Sequence, residues 1–303
     1  MSDRLAVGLN AVIVAVTEDE PRVLTVDREG TPALPWGLLD PELHPTLELG
    51  LRDWVEEQSG LELGYAEQLY TFGDRDRVPG GRHRQLSIVY LALVREGALL
   101  AADWRPIYDF LPWEDWRGGE PGMLRHRVLP ALRQWMARVG RTASRRERCD
   151  LAFGLSGAPW DGERVLKRYE LLYEAGLADR MHPEPDDGSL GEAMFIDHRR
   201  MLATALGRLR GKIRYRPVIF ELLPELFTLL QLQRVAEALA GRQLHKQNFR
   251  RLVTQGGLVE GTGDRDHGTG GRPAELFRFR STVVRERPSP GVGLPRLASS
   301  GSS

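Results

Sequence analysis

The chain has 303 residues, more than one core of ordinary size accommodates, so its length predicts about two domains. Hydrophobic residues at 41% and charged residues at 28% exclude wholesale disorder, and no run approaches the roughly 18 to 20 uninterrupted apolar residues of a membrane span. The formal net charge is zero, 42 basic against 42 acidic residues, which taken whole argues against a strongly basic nucleic-acid binder. The start, Met1-Ser2-Asp3-Arg4, leads into apolar alternation without a basic leader or cleavage site, so a cytoplasmic chain with no membrane partner is expected. The single cysteine, Cys149, excludes an internal disulfide and a thiolate metal site built from it alone.

Residues 5–16 and 22–26 are two β-rich runs split by Glu18, Asp19, Glu20 and Pro21, the pattern of a hairpin. Residues 40–59 carry Leu47, Leu51, Trp54 and Val55 at helical spacing, with Gly60 as the stop. Residues 65–72 and 85–95 are again strand-like, and the loop between them holds Arg75, Arg77, Arg82 and Arg84. Residues 101–122, with Trp104, Trp113 and Trp116 among prolines, lack periodicity and read as a loop with buried anchors. Helices are expected over 123–139 and 162–175, an exposed turn over 182–188, and a connecting helix over 196–213 with Met201, Leu202, Ala205, Leu206 and Leu209 inward and its basic residues outward. Two further helices, 228–240 and 244–255, are joined at Gly241 and followed by a polar hairpin ending in the strand 274–279. Helix, turn, helix and ribbon in that order form a winged helix-turn-helix, and the Ser-, Gly- and Pro-rich end is expected to be disordered.

Divided by position, the charge is far from neutral. Residues 207–287 hold 16 basic against 8 acidic residues, leaving 26 against 34 in the rest of the chain. In the second helix of the predicted motif, Leu244, Phe249, Leu252 and Val253 take the apolar side. Lys246, Gln247, Asn248, Arg250 and Arg251 take the outer one, with residue types that read base edges and phosphates. Arg272 on the hairpin suits a minor groove or a phosphate, and Thr228 suits an N-cap whose neighbouring amides approach the backbone of double-stranded DNA. A solvated basic helix, or bracing and capping roles for Asn248 and Arg250, are the plainer alternatives.

The stretch from Pro35-Trp36-Gly37 to Gly60-Leu61 resembles a Nudix box, whose glutamates on one helix face hold Mg²⁺ against a diphosphate. Gly37 and Gly60 stand two residues further apart than the family pattern allows. Counted back from Gly60, the expected arginine falls on Asp53 and a glutamate on Trp54, and the closing acidic pair becomes Glu57 and Gln58. With the extra length absorbed nearer the closing glycine, Arg52, Asp53, Glu56 and Glu57 line up instead. The box therefore reads as degenerate, with no catalytic residue and no metal assigned.

With both halves in view, the chain resembles the Nudix-related transcriptional regulators of NAD metabolism, the NrtR type. The resemblance is carried by the box, by Glu67 to Asp74 with its arginine-rich loop, by Arg199 to Leu230, by Gln247 to Leu252 and by Gly270 to Phe279. It implies an α+β fold with an N-terminal Nudix-like mixed-sheet domain over 1–113, a connecting helix over 196–216, a winged helix over 217–283 and a tail over 284–303. The helical insert over 114–195 departs from the simpler members, and with the altered box it resembles the alphaproteobacterial NadQ-type repressors. The resemblance implies a homodimeric repressor of NAD biosynthesis genes that binds operator DNA and needs no cofactor, with ATP, NAD or ADP-ribose as effector. Trp36, Arg52, Glu56, Glu57, Arg75, Arg77, Arg82 and Arg84 are the candidate effector residues, since arginines fork onto phosphates and an aromatic face stacks on adenine. The rival readings are an active pyrophosphohydrolase of ADP-ribose or a related nucleotide, and a winged helix that binds protein.

Overall fold

The computed structural model describes residues 5–74, 85–97, 102–137, 142–178, 190–266, 273–286 and 291–292. Strands β1 (Ala6–Thr17), β2 (Glu20–Arg28), β3 (Thr31–Ala33), β4 (Trp36–Leu38), β5 (Ala66–Phe72), β6 (Gln85–Leu93) and β7 (Ala102–Pro106) form a mixed sheet. β1 runs parallel to β6 along one edge. Its other edge is shared, Val14–Thr17 pairing with β2 and Gly8–Asn10 with β4, so the sheet forks there.

β1 is apolar throughout because both of its faces are covered. Leu9, Ala11, Ile13 and Ala15 pack with Leu51 and Val55 of helix α1 (Leu47–Ser59). Val12 and Val14, on the alternate face, join the larger core on the far side of the sheet. α1 begins seven residues later than the expected 40, at the Thr46 cap, whose side chain accepts from the Leu49 amide. It ends where expected, with Gly60 left-handed at φ 72°.

Residues 101–122 are not simply a loop. β7 pairs with β2, Arg22 to Val26 opposite Ala102 to Pro106, and α2 (Ile107–Phe110) follows directly. Three prolines and three tryptophans over this stretch hide a strand of only five residues from a periodicity search. Trp104 and Trp113 are buried anchors, as the plainer reading held.

Among its described residues the insert holds three helices where two were expected: α3 (Leu129–Ala137), α4 (Thr142–Phe153) and α5 (Val165–Glu174). A widened π-type turn, Leu124–Val128, leads into α3, where Pro130 has no amide to donate to the turn before it. α4 escapes sequence reading because its inward side is only Cys149, Ala152 and Phe153 among Arg145, Arg146 and Arg148. Burial pushes the Cys149 thiol up to about 11, which keeps it protonated and unreactive.

Helix α6 (His198–Ile213) buries two of its cations against the outward placement expected for them, while Arg208 is exposed as expected. Arg199 and Arg210 are 1% and 4% exposed. Arg199 donates to the carbonyls of Phe110 and Leu190 and lies over the rings of Trp113 and Tyr169, and burial pulls it down to about 10. Arg210 reaches the Glu114 carboxylate at 2.5 Å, while Arg168 of α5 forks onto the same carboxylate at 2.6 and 2.9 Å. Arg210 also donates to the Leu239 carbonyl, and the Tyr108 hydroxyl donates to the Ala238 carbonyl at 2.6 Å. One buried carboxylate thus ties the sheet domain, the insert and α6 to the C-terminal end of a helix in the winged motif. Burial alone would raise the Glu114 carboxyl; Arg168 and Arg210 overcome it and hold the group below its ordinary value.

The winged motif consists of α7 (Leu229–Ala240), α8 (Lys246–Gln255) and the antiparallel sheet of β8 (Phe227–Thr228), β9 (Val259–Asp266) and β10 (Ala274–Phe279), in the order β8-β10-β9. A short helix α9 (Val283–Glu286) follows. Part of the expected tail is ordered, because the Val292 amide donates to Ile213 at 2.8 Å and the side chain is buried. No helix among the described residues is long and apolar enough to cross a membrane.

Candidate nucleic-acid interface and effector pocket

The winged motif is held by its caps. Thr228 opens α7 with a capping box, its hydroxyl accepting from the Gln231 amide while the Gln231 side chain accepts from the Thr228 amide. The residue is 5% exposed, so its hydroxyl is committed to the helix and only the amides that follow face outward. Gly241 closes α7 at φ 65°, where a Cβ would sit 2.3 Å from the Glu114 carbonyl oxygen and 2.5 Å from Arg210. Only glycine fits that approach.

α8 packs Phe249 and Val253 inward and leaves Lys246, Gln247, Arg250 and Arg251 exposed. Asn248 is half-buried, and its carbonyl accepts from Arg251 at 2.9 Å. The cap itself is His245, whose Nδ1 accepts from the Asn248 amide. The structure thus brings five of the seven DNA candidates onto one short helix and places Thr228 at the start of the helix before it. Arg272 lies outside the described residues. Arg265, on the rising arm of the wing, is exposed. Arg242 is pulled down by burial and by its neighbour Arg210.

The effector candidates divide differently. Arg52 is occupied locally, paired with Glu48 at 2.7 Å and donating to the carbonyls of Leu63 and Gly64. Glu56 and Glu57 are exposed on the outer side of α1. Arg75, Arg77, Arg82 and Arg84 lie outside the described residues. Gln58 clamps both backbone groups of Trp36, donating at 2.7 Å and accepting at 3.2 Å. Trp54 covers Gly37, where a Cβ would sit 2.1 Å from its ring, and donates to the Leu38 carbonyl. These two residues, at positions where the box pattern has glutamates, bind its loop and helix together. Among the described residues no group of three or more His, Cys, Asp or Glu is arranged to hold a metal ion.

The Trp36 ring is not beside the box helix, because Trp36 pairs with Asn10 across β1 and β4 and Asn10 alternates with the residues under α1. The ring lies on the far face, stacked on Phe195 at 6.2 Å with Arg28 at 5.6 Å over it. Three polar atoms meet there without a hydrogen-bond partner: Asn10 Oδ1, Trp36 Nε1 and Arg28 Nε. Each unpaired group costs about 1 to 3 kcal/mol, and such clusters accumulate where a ligand supplies the missing partners. Beneath them His198 accepts the Leu34 amide on Nδ1 at 2.9 Å, and Phe195 packs edge-on against it. Asn10, Arg28 and Phe195 escaped the sequence reading. The one signal for Asn10 was a lone amide inside a twelve-residue apolar strand.

Residues 219–279 match the NrtR DNA-binding winged helix domain family. Along nearly its whole length the chain shares the fold of Shewanella oneidensis NrtR complexed with a 27mer DNA, at a TM-score of 0.58 and 21% identity, covering 92% of this chain and 95% of that one. The sheet domain has the expected Nudix-like fold, as a MutT/nudix family protein from Enterococcus faecalis also shows at a TM-score of 0.55 and 16% identity over 92% of this chain and 88% of that one. Over 84 residues the chain is 43% identical to the ADPR responsive transcriptional repressor NtrR of Acinetobacter baylyi. That match spans 28% of this chain and a third of the length of that relative.

Proposed function

We propose that the chain is a cytoplasmic, homodimeric transcriptional repressor of NAD biosynthesis genes whose winged helix binds operator DNA and whose sheet domain senses an adenine nucleotide. The observation that carries the DNA half is the NrtR winged-helix match over 219–279, coinciding with a capped helix that exposes Lys246, Gln247, Arg250 and Arg251. Two copies would set two recognition helices about one turn of DNA apart. The name of the Acinetobacter relative puts ADP-ribose first among ADP-ribose, ATP and NAD. The helical insert and the altered box support the NadQ-type branch.

For the effector the unpaired cluster is the stronger support. Asn10 Oδ1 is an acceptor and Trp36 Nε1 a donor, matching the exocyclic amine and a ring nitrogen of adenine, and Arg28 forks onto a phosphate. Arg52, Glu56 and Glu57 then shape the box without chemistry, Gln58 and Trp54 having turned two of its positions to packing. α6 carries the signal, with its N-terminal His198 beneath the cluster and Arg210 locked against the end of α7. Selecting duplexes from a random pool with the full chain tests the DNA half: a convergent two-fold sequence is expected, and no enrichment contradicts it. Calorimetry with ADP-ribose tests the other half, with binding expected to be lost on Trp36→Ala; binding retained at full strength places the effector elsewhere.

A hydrolase reading is favoured by one observation, the exposure of Asp53, Glu56 and Glu57 on one side of α1. Mg²⁺-dependent release of AMP from ADP-ribose, abolished by Glu57→Gln, would establish it.

A further inference from the structure

We infer that the helical hairpin formed by the Leu124–Val128 turn, α3 and α4 is a second phosphate-binding surface, which grips the DNA backbone alongside the winged helix. The inference rests on the DNA-binding reading above and extends it to a part of the chain with no assigned role.

The division of charge into an acidic and a basic half conceals an island. Residues 123–148 hold eight arginines and one glutamate, and outside this segment and 207–287 the chain has 18 basic against 33 acidic residues. The surplus is not absorbed by packing. The hairpin buries Leu124, Val128, Leu132, Trp135, Cys149, Ala152 and Phe153 and leaves Arg125, Arg127, Arg133, Arg146 and Arg148 exposed. Arg125 is 72% exposed beside Glu120, and Arg148 shares Glu174 at 43% exposure. Arg133 and Arg146 are exposed and form no ion pair among the described residues, although Glu147 and Asp150 stand near Arg146 along the same helix. Arg145 is half-buried over the Trp135 ring at 4.8 Å. The first turn of α4 contains no acidic residue. Like charges gathered this way repel one another unless an external polyanion meets them, and duplex DNA presents a charge about every 1.7 Å along its axis.

The hairpin is also fixed to the reader. Its buried residues belong to the same continuous core as Leu206 and Leu209 of α6 and Leu232, Leu239 and Phe249 of the winged motif. Just before it the Trp116 amide donates to the Gly241 carbonyl at the helix-turn-helix turn, at 2.6 Å. This attachment makes the basic surface one body with the reader, and contacts it makes to phosphates read no sequence and add affinity.

The test measures the salt dependence of binding by the full chain to a 40-base-pair duplex of arbitrary sequence. It compares the unaltered chain with R125Q/R133Q/R146Q and with R250Q/R251Q, each checked for an unchanged circular dichroism spectrum and unfolding midpoint. The hairpin variant is expected to bind more weakly and to lose about two to three units of the slope of log K against log salt, at roughly 0.9 per phosphate contact. An unchanged slope in that variant, while R250Q/R251Q loses its own two contacts, overturns the inference and leaves the winged helix as the DNA reader. No binding by the unaltered chain at low salt overturns the reading on which it rests. Loss of binding to phosphatidylserine vesicles, with the DNA slope intact, overturns the assignment in favour of a membrane.

Discussion

Helices α6 and α8 are both rich in arginine, yet they use it in opposite ways. α8 lays Arg250 and Arg251 exposed on its outer side, where Arg251 donates to the Asn248 side chain of the same helix. α6 buries Arg199 among carbonyls and rings, and Arg210 against a carboxylate it shares with Arg168. The same guanidinium is a reader in one place and a strut in the other. What decides is whether neighbouring elements deliver acceptors to it, because a buried charge without them is untenable. Glu114, Tyr108 and the carbonyls at the end of α7 make Arg210 a strut; among the described residues no carboxylate pairs with Arg250 or Arg251.

If that contrast is right, substitutions around α6 act on stability and those on α8 act on binding. The largest expected effect is Glu114→Gln, which strands two buried guanidiniums and lowers unfolding free energy by about 3 to 5 kcal/mol, measured by denaturant titration. The same residue sets a pH dependence. Its folded-state carboxyl lies below the ordinary 4.5, so its contribution is complete above that value and is lost as pH falls through the folded value. The unaltered chain is expected to lose more stability than Glu114→Gln on acidification below 4.5; parallel curves would mean that the carboxylate is not paired as described. Gly241→Ala comes next. The left-handed backbone alone costs about 1 to 2 kcal/mol, and the contact with the Glu114 carbonyl adds to it; a thermal midpoint equal to that of the unaltered chain would show that the turn is free to move. Thr228→Ala removes an N-cap and is expected to cost about 1 kcal/mol, seen as earlier unfolding of the winged motif. R250Q/R251Q stands last on this scale, within about 0.5 kcal/mol of the unaltered chain, while its DNA affinity falls.

The winged motif was legible in the sequence because every rule agrees there. Thr228 caps, Gly241 stops, Phe249 and Val253 keep helical spacing, and a hairpin follows. The pairing of β1 with β2 was legible as a hairpin, but the fork that adds β4 to the same edge was not, because a three-residue strand leaves no pattern. α4 was not, since three arginines and a short apolar side leave little periodicity. The burial of Arg199 and Arg210 was invisible for a different reason: their partners lie about 90 and 96 residues away in the chain, and no local pattern reveals a carboxylate delivered by tertiary structure. Trp36 was placed on the wrong face, because the box was read as a helix problem while its first residues form a strand whose pairing with β1 fixes their side.

The central claim is that a nucleotide bound in the sheet domain changes the grip of the winged helix on DNA. The most direct measurement is the affinity of the full chain for its selected duplex, followed by fluorescence anisotropy in the presence of ADP-ribose, ATP or NAD. A shift of about 5- to 150-fold with at least one of them corresponds to the usual 1 to 3 kcal/mol of coupling between sites, and Trp36→Ala should abolish it. Identical affinity with all three nucleotides would contradict the account.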